Sequence, residues 1–211
     1  MHICVVSPGY PTSKTIDFIF VDQLCRFIAG RGVKVTIIAP QSLTKSILRH
    51  LPIVRRKSII PISNGNDITL YRPFYITLGN HKKRMRFNAR SFNKSVLRAF
   101  DKIKERPDVC YGHFWRAAYS IYPLAKKYKI PLIASSGEEV ITLHKDYSAE
   151  LLYDFIDYVL GVICVSTKNK SETIEAGLAK EDKCRVIVNA IDPLLFYLGE
   201  YPEFFSADRL R

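Results

Sequence analysis

Apolar residues recur along this chain in two alternating rhythms. Met1 to Ser7 is a largely apolar run closed by Pro8-Gly9-Tyr10-Pro11, the pattern of a buried strand followed by a loop. From Thr15 to Arg31 the apolar positions Ile16, Ile19, Phe20, Leu24, Phe27 and Ile28 fall at helical spacing, with Gly30 and Gly32 near the stop. Val33 to Ala39 is β-branched and apolar again and ends at Pro40. Residues 41 to 66 read as irregular and basic, and Asp67 to Tyr71 as a short strand. A long helix is predicted over Arg86 to Glu105, with Phe87, Phe92, Val96, Leu97, Phe100 and Ile103 on one side. Beyond it come a strand at Asp108 to Gly112, a helix at Trp115 to Tyr128, a strand at Ile130 to Ser135 and a helix at Tyr147 to Leu160. A last strand, helix, strand unit covers Val162 to Ser166, Lys168 to Ala176 and Cys184 to Asn189. Strands alternating with helices predict one α/β domain: Rossmann-like, doubly wound, mostly parallel, with helices on both faces.

In such a sheet, ligands bind in the crevice beyond the carboxyl ends of the strands. The loops to inspect are Pro8 to Lys14, Gly112 to Arg116, Ser135 to Val140 and Ser166 to Lys168. Gly9 either lets the backbone approach a phosphate near a helix N-terminus or serves a tight strand-to-helix turn. No Gly-x-Gly-x-x-Gly accompanies it, which argues against a dinucleotide site. His113 stands at a strand's carboxyl end beside the single Trp, Trp115, with Arg116 next to it. It is placed to bond a polar ligand, or else to cap the next helix or pack on Trp115. His2, His50, His81 and His144 lack that context. Glu138 and Glu139 are either acid-base candidates or loop charges at a helix start.

Length and composition fit one soluble domain: 211 residues, 47% hydrophobic and 25% charged. The five cysteines are scattered without a Cys-x-x-Cys pair, which reads as reduced, structural thiols in a cytoplasmic setting. Charge changes the picture more. The net +12 is concentrated in residues 45 to 106, which hold 16 Lys+Arg against 3 Asp+Glu. This segment contains Arg55, Arg56 and Lys57, then Lys82, Lys83, Arg84 and Arg86, interleaved with Leu48, Leu51, Ile53, Val54, Ile59 and Ile60. Cations among apolar residues suit an anionic membrane surface or a lipid-linked acceptor. Nucleic acid is the competing anion, without a recognised binding motif, and a solvated loop is the plain alternative.

The motifs together resemble the N-terminal half of the GT-B-fold glycosyltransferases, in particular the retaining, nucleotide-sugar-dependent group four. The resemblance rests on Val162-Ile-Cys-Val-Ser166 with Asn169 and Gly177, and on Val186-Ile-Val-Asn189-Ala-Ile-Asp192 followed by Phe196. It also rests on Asp108-Val-Cys-Tyr-Gly-His113 and Ser136-Gly-Glu-Glu139. It implies that residues 1–192 form the acceptor-binding domain, 193–211 an interdomain linker or tail, and that a C-terminal donor-binding domain is absent. Transfer from a nucleotide-sugar donor to a polysaccharide or glycolipid acceptor is implied, with no metal and no cofactor. The family's catalytic histidine corresponds to His113, and its diphosphate-approaching glycine to Gly9. Candidate substrate contacts are Gly9, Tyr10, Trp115, Arg116, Glu138 and Glu139. The implied setting is the cytoplasm, with peripheral contact on the inner membrane face. Three positions depart from the pattern: the first loop lacks a Gly-Gly pair, Ser136 replaces a common His, and Ala190 replaces a hinge Gly. Without the second half, negligible transferase activity is expected. The rival reading is a non-catalytic α/β module that uses the basic segment on membrane or nucleic acid.

Overall fold

A computed structural model describes residues 1–79 and 82–189. The side chains of Lys82 and Lys83, the Ala190 to Asp192 hinge and the 193–211 tail lie outside the described residues. In chain order the strands are β1 (His2–Val6), β2 (Lys34–Ile38), β3 (Gln41–Ser42), β4 (Lys57–Ile60), β5 (Ile68–Tyr71), β6 (Phe74–Tyr75), β7 (Val109–Gly112), β8 (Leu132–Ser136), β9 (Val159–Cys164) and β10 (Cys184–Val186). The helices are α1 (Ile19–Gly30), α2 (Leu43–Leu48), α3 (Lys82–Phe100), α4 (Trp115–Tyr128), α5 (Leu143–Asp146), α6 (Ala149–Tyr158) and α7 (Thr167–Glu175).

Eight strands form one sheet in the order β10-β9-β8-β7-β1-β2-β5-β4. All pairs in it are parallel except β4 with β5. The expected doubly wound sheet is therefore present. Side chains alternate across it with period two. Cys4 and Val6 of β1 face a core shared with α3 and α4, built on Phe92, Val96, Phe100, Trp115 and Ile121. Val5 faces the other core, under Val21, Cys25 and Ala29 of α1. Burial on both faces explains why β1 reads as an apolar run rather than as an alternation. All five cysteines are free and buried, and Cys4 stands opposite Cys110 in the β1–β7 register. Burial pushes the Cys25 thiol up to about 12 and that of Cys164 up to about 11.

Several boundaries differ from the sequence expectation for identifiable reasons. α1 starts at Ile19 rather than Thr15 because the Thr12 hydroxyl accepts from the Lys14 and Thr15 N–H groups at 3.2 and 3.1 Å. That local bonding competes with the first helical turn. The segment 41–66 is not irregular throughout. It carries α2, whose N-cap Ser42 accepts from Lys45 N–H at 3.3 Å, and the antiparallel edge strand β4. α2 is six residues long and exposes Ile47 and Leu48, so no core-facing periodicity announces it. The long helix runs from Lys82 to Phe100, earlier than expected at both ends. β9 begins at Val159, where a helix was expected through Leu160, because Val159 and Gly161 pair with Leu132 and Ile133.

β1 pairs with β2 on one side and β7 on the other, so the chain reverses its winding direction between β1 and β7. The crevice at their carboxyl ends is the sheet's topological switch point. α4 reaches that point by close approach: a Cβ on Gly112 would lie 2.2 Å from the Cα of Ala118. Gly112→Ala must push the helix off the strand, and it is expected to destabilise the fold by about 3 kcal/mol or more. A fall in the urea midpoint of under 0.3 M for this variant would contradict the close seating of α4.

Candidate functional site

The β1 loop is held firmly. The Tyr10 ring is buried, and its hydroxyl bonds the Asp22 carboxylate of α1. Burial, then that bond, raises the phenol far above its ordinary value. Arg26 donates Nε–H to both Asp22 oxygens at 2.9 Å. From the end of β5, Arg72 donates to the Tyr10 and Pro11 carbonyls at 3.3 and 2.7 Å, with its guanidinium 5.3 Å from the Tyr10 ring centre. Tyr10 thus serves first as an anchor. Gly9 is covered by the Phe18 ring: a Cβ there would come within 2.8 Å of Phe18 Cδ2. The glycine makes room for an aromatic ring, which the sequence did not suggest.

His113 follows β7 directly, and its N–H extends the ladder to Val6 O at 2.8 Å. The imidazole is only 3% exposed. Its Nδ1 lies 3.2 Å from the Tyr111 hydroxyl and 3.3 Å from Ser135 Oγ. Ser135 Oγ also accepts from Phe114 N–H at 3.3 Å, and its own O–H is free to donate to Nδ1. Phe114, Phe20 and Phe18 surround the ring at centroid distances of 4.3, 5.1 and 6.1 Å. Burial alone pushes the imidazole pKa down to about 4, so His113 is neutral at pH 7. It is a hydrogen-bonding group there and not a cationic acid. Two of the surrounding phenylalanines have positive φ: Phe18 at φ 60, ψ 31 and Phe114 at φ 75, ψ 154. Such conformations cost about 1–3 kcal/mol each for a non-glycine residue.

The other candidates separate. Trp115 is not a substrate contact in this arrangement. Its ring is 1% exposed and packs edge-on against Phe155 at 6.2 Å, because α4 turns that face toward the core. Glu138 does not stand free either. Its carboxylate accepts from Trp115 N–H at 2.8 Å and from Gly137 N–H at 3.2 Å, capping α4 from the neighbouring loop. Burial raises its pKa, and those N–H bonds act in the opposite direction. Glu139 is exposed on the same loop. Arg116 pairs with the buried Asp146 carboxylate and lines the neighbouring cavity.

That cavity, about 790 Å³, opens at the carboxyl ends of β1, β2 and β5. Gly9, Tyr10 and Phe18 line one side, with Arg72 and Arg116, and α2 contributes Lys45 and Leu48 on another, with its C-cap Arg49. Phe18 lines it and His113 does not. Lys45, Arg49 and Arg72 against one lining carboxylate, Asp17, give it a positive field, while the charge of Arg116 is met by Asp146. Lys45, Arg49, Arg72 and Phe18 were not singled out from the sequence. The strand-end rule, extended to β2 and β5, would have pointed to the loops at Gln41 and Arg72. Of the basic patch, Arg55, Arg56 and Lys57 lie on and before edge strand β4, with Arg56 over Phe74 and Lys57 over Tyr71. Arg84 donates to Leu78 O, and Arg86 is exposed at the start of α3. The patch is a surface beside the cavity rather than its lining.

The profile of Glycosyltransferase Family 4 matches residues 19–194. The chain belongs to that family, and its fold is that of the GT-B glycosyltransferases. It is similar to sucrose-phosphate synthase from Thermosynechococcus elongatus, at 14% identity and TM-score 0.60, over 93% of this chain and 50% of that one. Anabaena HepE in complex with UDP-glucose gives 15% identity and TM-score 0.53, over 93% and 46%. The catalytic domain of starch synthase IV from Arabidopsis thaliana, bound to ADP and acarbose, gives 14% and 0.54, over 91% and 52%. At these identities the likeness is one of fold, and the chain spans about half the length of those structures. No curated protein matches it in sequence.

The buried imidazole makes stability pH-dependent. Its folded pKa lies below the unfolded value of 6.5, so the unfolded chain takes up the proton first as pH falls. Stability is complete above pH 6.5 and declines toward pH 4, by at most roughly 3 kcal/mol at 1.36 kcal/mol per pH unit. Urea unfolding at pH 7 and pH 4.5 is expected to show a smaller acid loss in His113→Gln than in the wild type. Equal losses would mean that His113 is already solvated.

Proposed function

We propose that this domain forms the acceptor side of a glycosyltransferase that moves a sugar from a nucleotide donor to a glycan or lipid-linked acceptor with retained anomeric configuration. The observation that carries this reading is the cation-lined cavity at the ends of β1, β2 and β5, beside the switch point and the buried histidine at the end of β7. HepE in complex with UDP-glucose and starch synthase IV bound to ADP and acarbose support a nucleotide-sugar donor. In this reading a second domain holds most of the nucleotide and closes on the loops after β1 and β7. The domain alone then turns over negligibly. His113 offers Nε2 to a hydroxyl of the reacting sugar, fixing the ring while the diphosphate departs. Lys45, Arg49 and Arg72 favour an acceptor that carries negative charge.

Peripheral membrane contact fits the same surface. Among the described residues no helix is long and apolar enough to cross a bilayer. The exposed Ile47, Leu48 and Ile53 sit among Arg49, Arg55 and Arg56, beside the cavity mouth. Each basic residue near an anionic surface contributes about 1 kcal/mol. A polysaccharide or glycolipid acceptor handled at the inner membrane face is consistent with that arrangement.

His113→Ala in the intact enzyme is expected to lower kcat about 100-fold or more while the melting transition stays cooperative. Turnover within threefold of wild type would remove His113 from the reaction. Separately, the chain is expected to sediment with phosphatidylglycerol vesicles and not with phosphatidylcholine, with Leu48→Glu weakening binding by about tenfold. Salt-sensitive DNA binding without vesicle binding would instead favour a nucleic-acid module.

A further inference from the structure

Three observations converge beside His113. The Phe18 ring lies directly over Gly9, in the contact that a Cβ there would violate at 2.8 Å, and it also stands edge-on to the imidazole at 6.1 Å. Phe18 therefore fills the space between the two strand-end loops that the functional reading assigns to the reaction. His113 is 3% exposed, yet its Nε2 is buried without a hydrogen-bond partner. Native interiors rarely leave such a group without a protein, water, ion or ligand partner. Finally, Phe18 and Phe114, whose rings meet at 5.9 Å, both hold positive φ. Phe18 also ends a solvent-facing bend: Lys14, Ile16 and Asp17 are exposed, and Ile16 is 82% exposed.

In that functional reading the sugar ring lies between Gly9 and His113; we propose that the Phe18 ring occupies this place in the present structure and must withdraw for a nucleotide sugar to enter. The inference rests on the reading of His113 as the sugar-contacting residue. A phenyl ring and a pyranose are both six-membered rings of similar breadth, and the walls suit either. Phe20 and Phe114 offer apolar contact to a sugar's C–H faces, while the unpaired Nε2 offers a hydrogen bond that Phe18 cannot make. The αL backbone of Phe18 provides the means of withdrawal. Phe18 is the N-cap just before α1, so rotation there swings the preceding turn without unwinding the helix. Strain stored at a ligand clamp is released when a better-fitting occupant takes the place. Phe18 then acts as a competitor for the sugar and not for the nucleotide.

The test reads access first and binding second. In the 211-residue chain, diethyl pyrocarbonate labelling of His113, followed by peptide mass spectrometry, is expected to be at least tenfold faster in Phe18→Ala than in wild type. Phe18→Asn, which tolerates the αL conformation, guards against misfolding of the alanine variant. Gly9→Ala is expected to accelerate labelling by displacing the ring from the other side. In the intact enzyme, UDP-glucose is expected to bind Phe18→Ala at least threefold more tightly than wild type, and UDP equally to both. Unchanged labelling in all three variants overturns the proposal, as does an equal gain for UDP and UDP-glucose. Failure of the underlying reading has a different signature. His113→Ala would keep wild-type turnover while Phe18→Ala still accelerated labelling of His113.

Discussion

The site depends on the contact of α4 with the end of β7, where Gly112 meets Ala118 with no room for a methyl group. That approach brings the N-terminus of α4 alongside the β1 ladder. It leaves Phe114 with a backbone conformation that few side chains adopt, and it aims His113 into the gap beside β1. Glu138 answers the resulting orphan N–H of Trp115 from the next loop, because Phe114 contributes no side-chain cap. One steric allowance thus settles the positions of a strand end, a helix start and an imidazole.

Electrostatics on the two sides of Phe18 are opposite in kind. On the cavity side, guanidinium and ammonium groups face solvent-accessible space and set up a positive field. On the histidine side, aromatic rings exclude water and keep the imidazole uncharged. In the proposed function, a wet basic chamber beside a dry neutral one would serve a charged acceptor and a sugar whose hydroxyls need fixed hydrogen bonds. The separation follows from topology: the cavity is built from the β2 and β5 loops with α2, and the dry pocket from β7 and the start of α1.

Most of the architecture was legible in the sequence because buried parallel strands must be apolar throughout and the covering helices must be striped. α4 was expected over Trp115 to Tyr128 and is found there. The short pieces were hidden. α2 buries little, and β4 is an edge strand alternating exposed and half-buried positions, so neither carries a strong pattern. At the site, the strand-end rule pointed to the loops that carry Gly9, His113 and Arg116. It did not show that Trp115 is turned into the core or that Glu138 meets the start of α4, since which face of α4 turns inward and which oxygen meets a helix start are tertiary facts. Phe18 was invisible for a related reason: it falls inside the expected helix but outside its apolar stripe, whereas a threonine-centred turn delays the helix and swings the ring over Gly9.

The five interior thiols carry a consequence of their own. They are distributed over β1, α1, β7, β9 and β10, from the middle of the sheet to one margin, and burial withholds each from reagents in solution. Alkylation of any one of them therefore requires its element to open. The chain comes with a built-in set of clocks, each timing the breathing of a different layer, from the outer strand at Cys184 to the central one at Cys4.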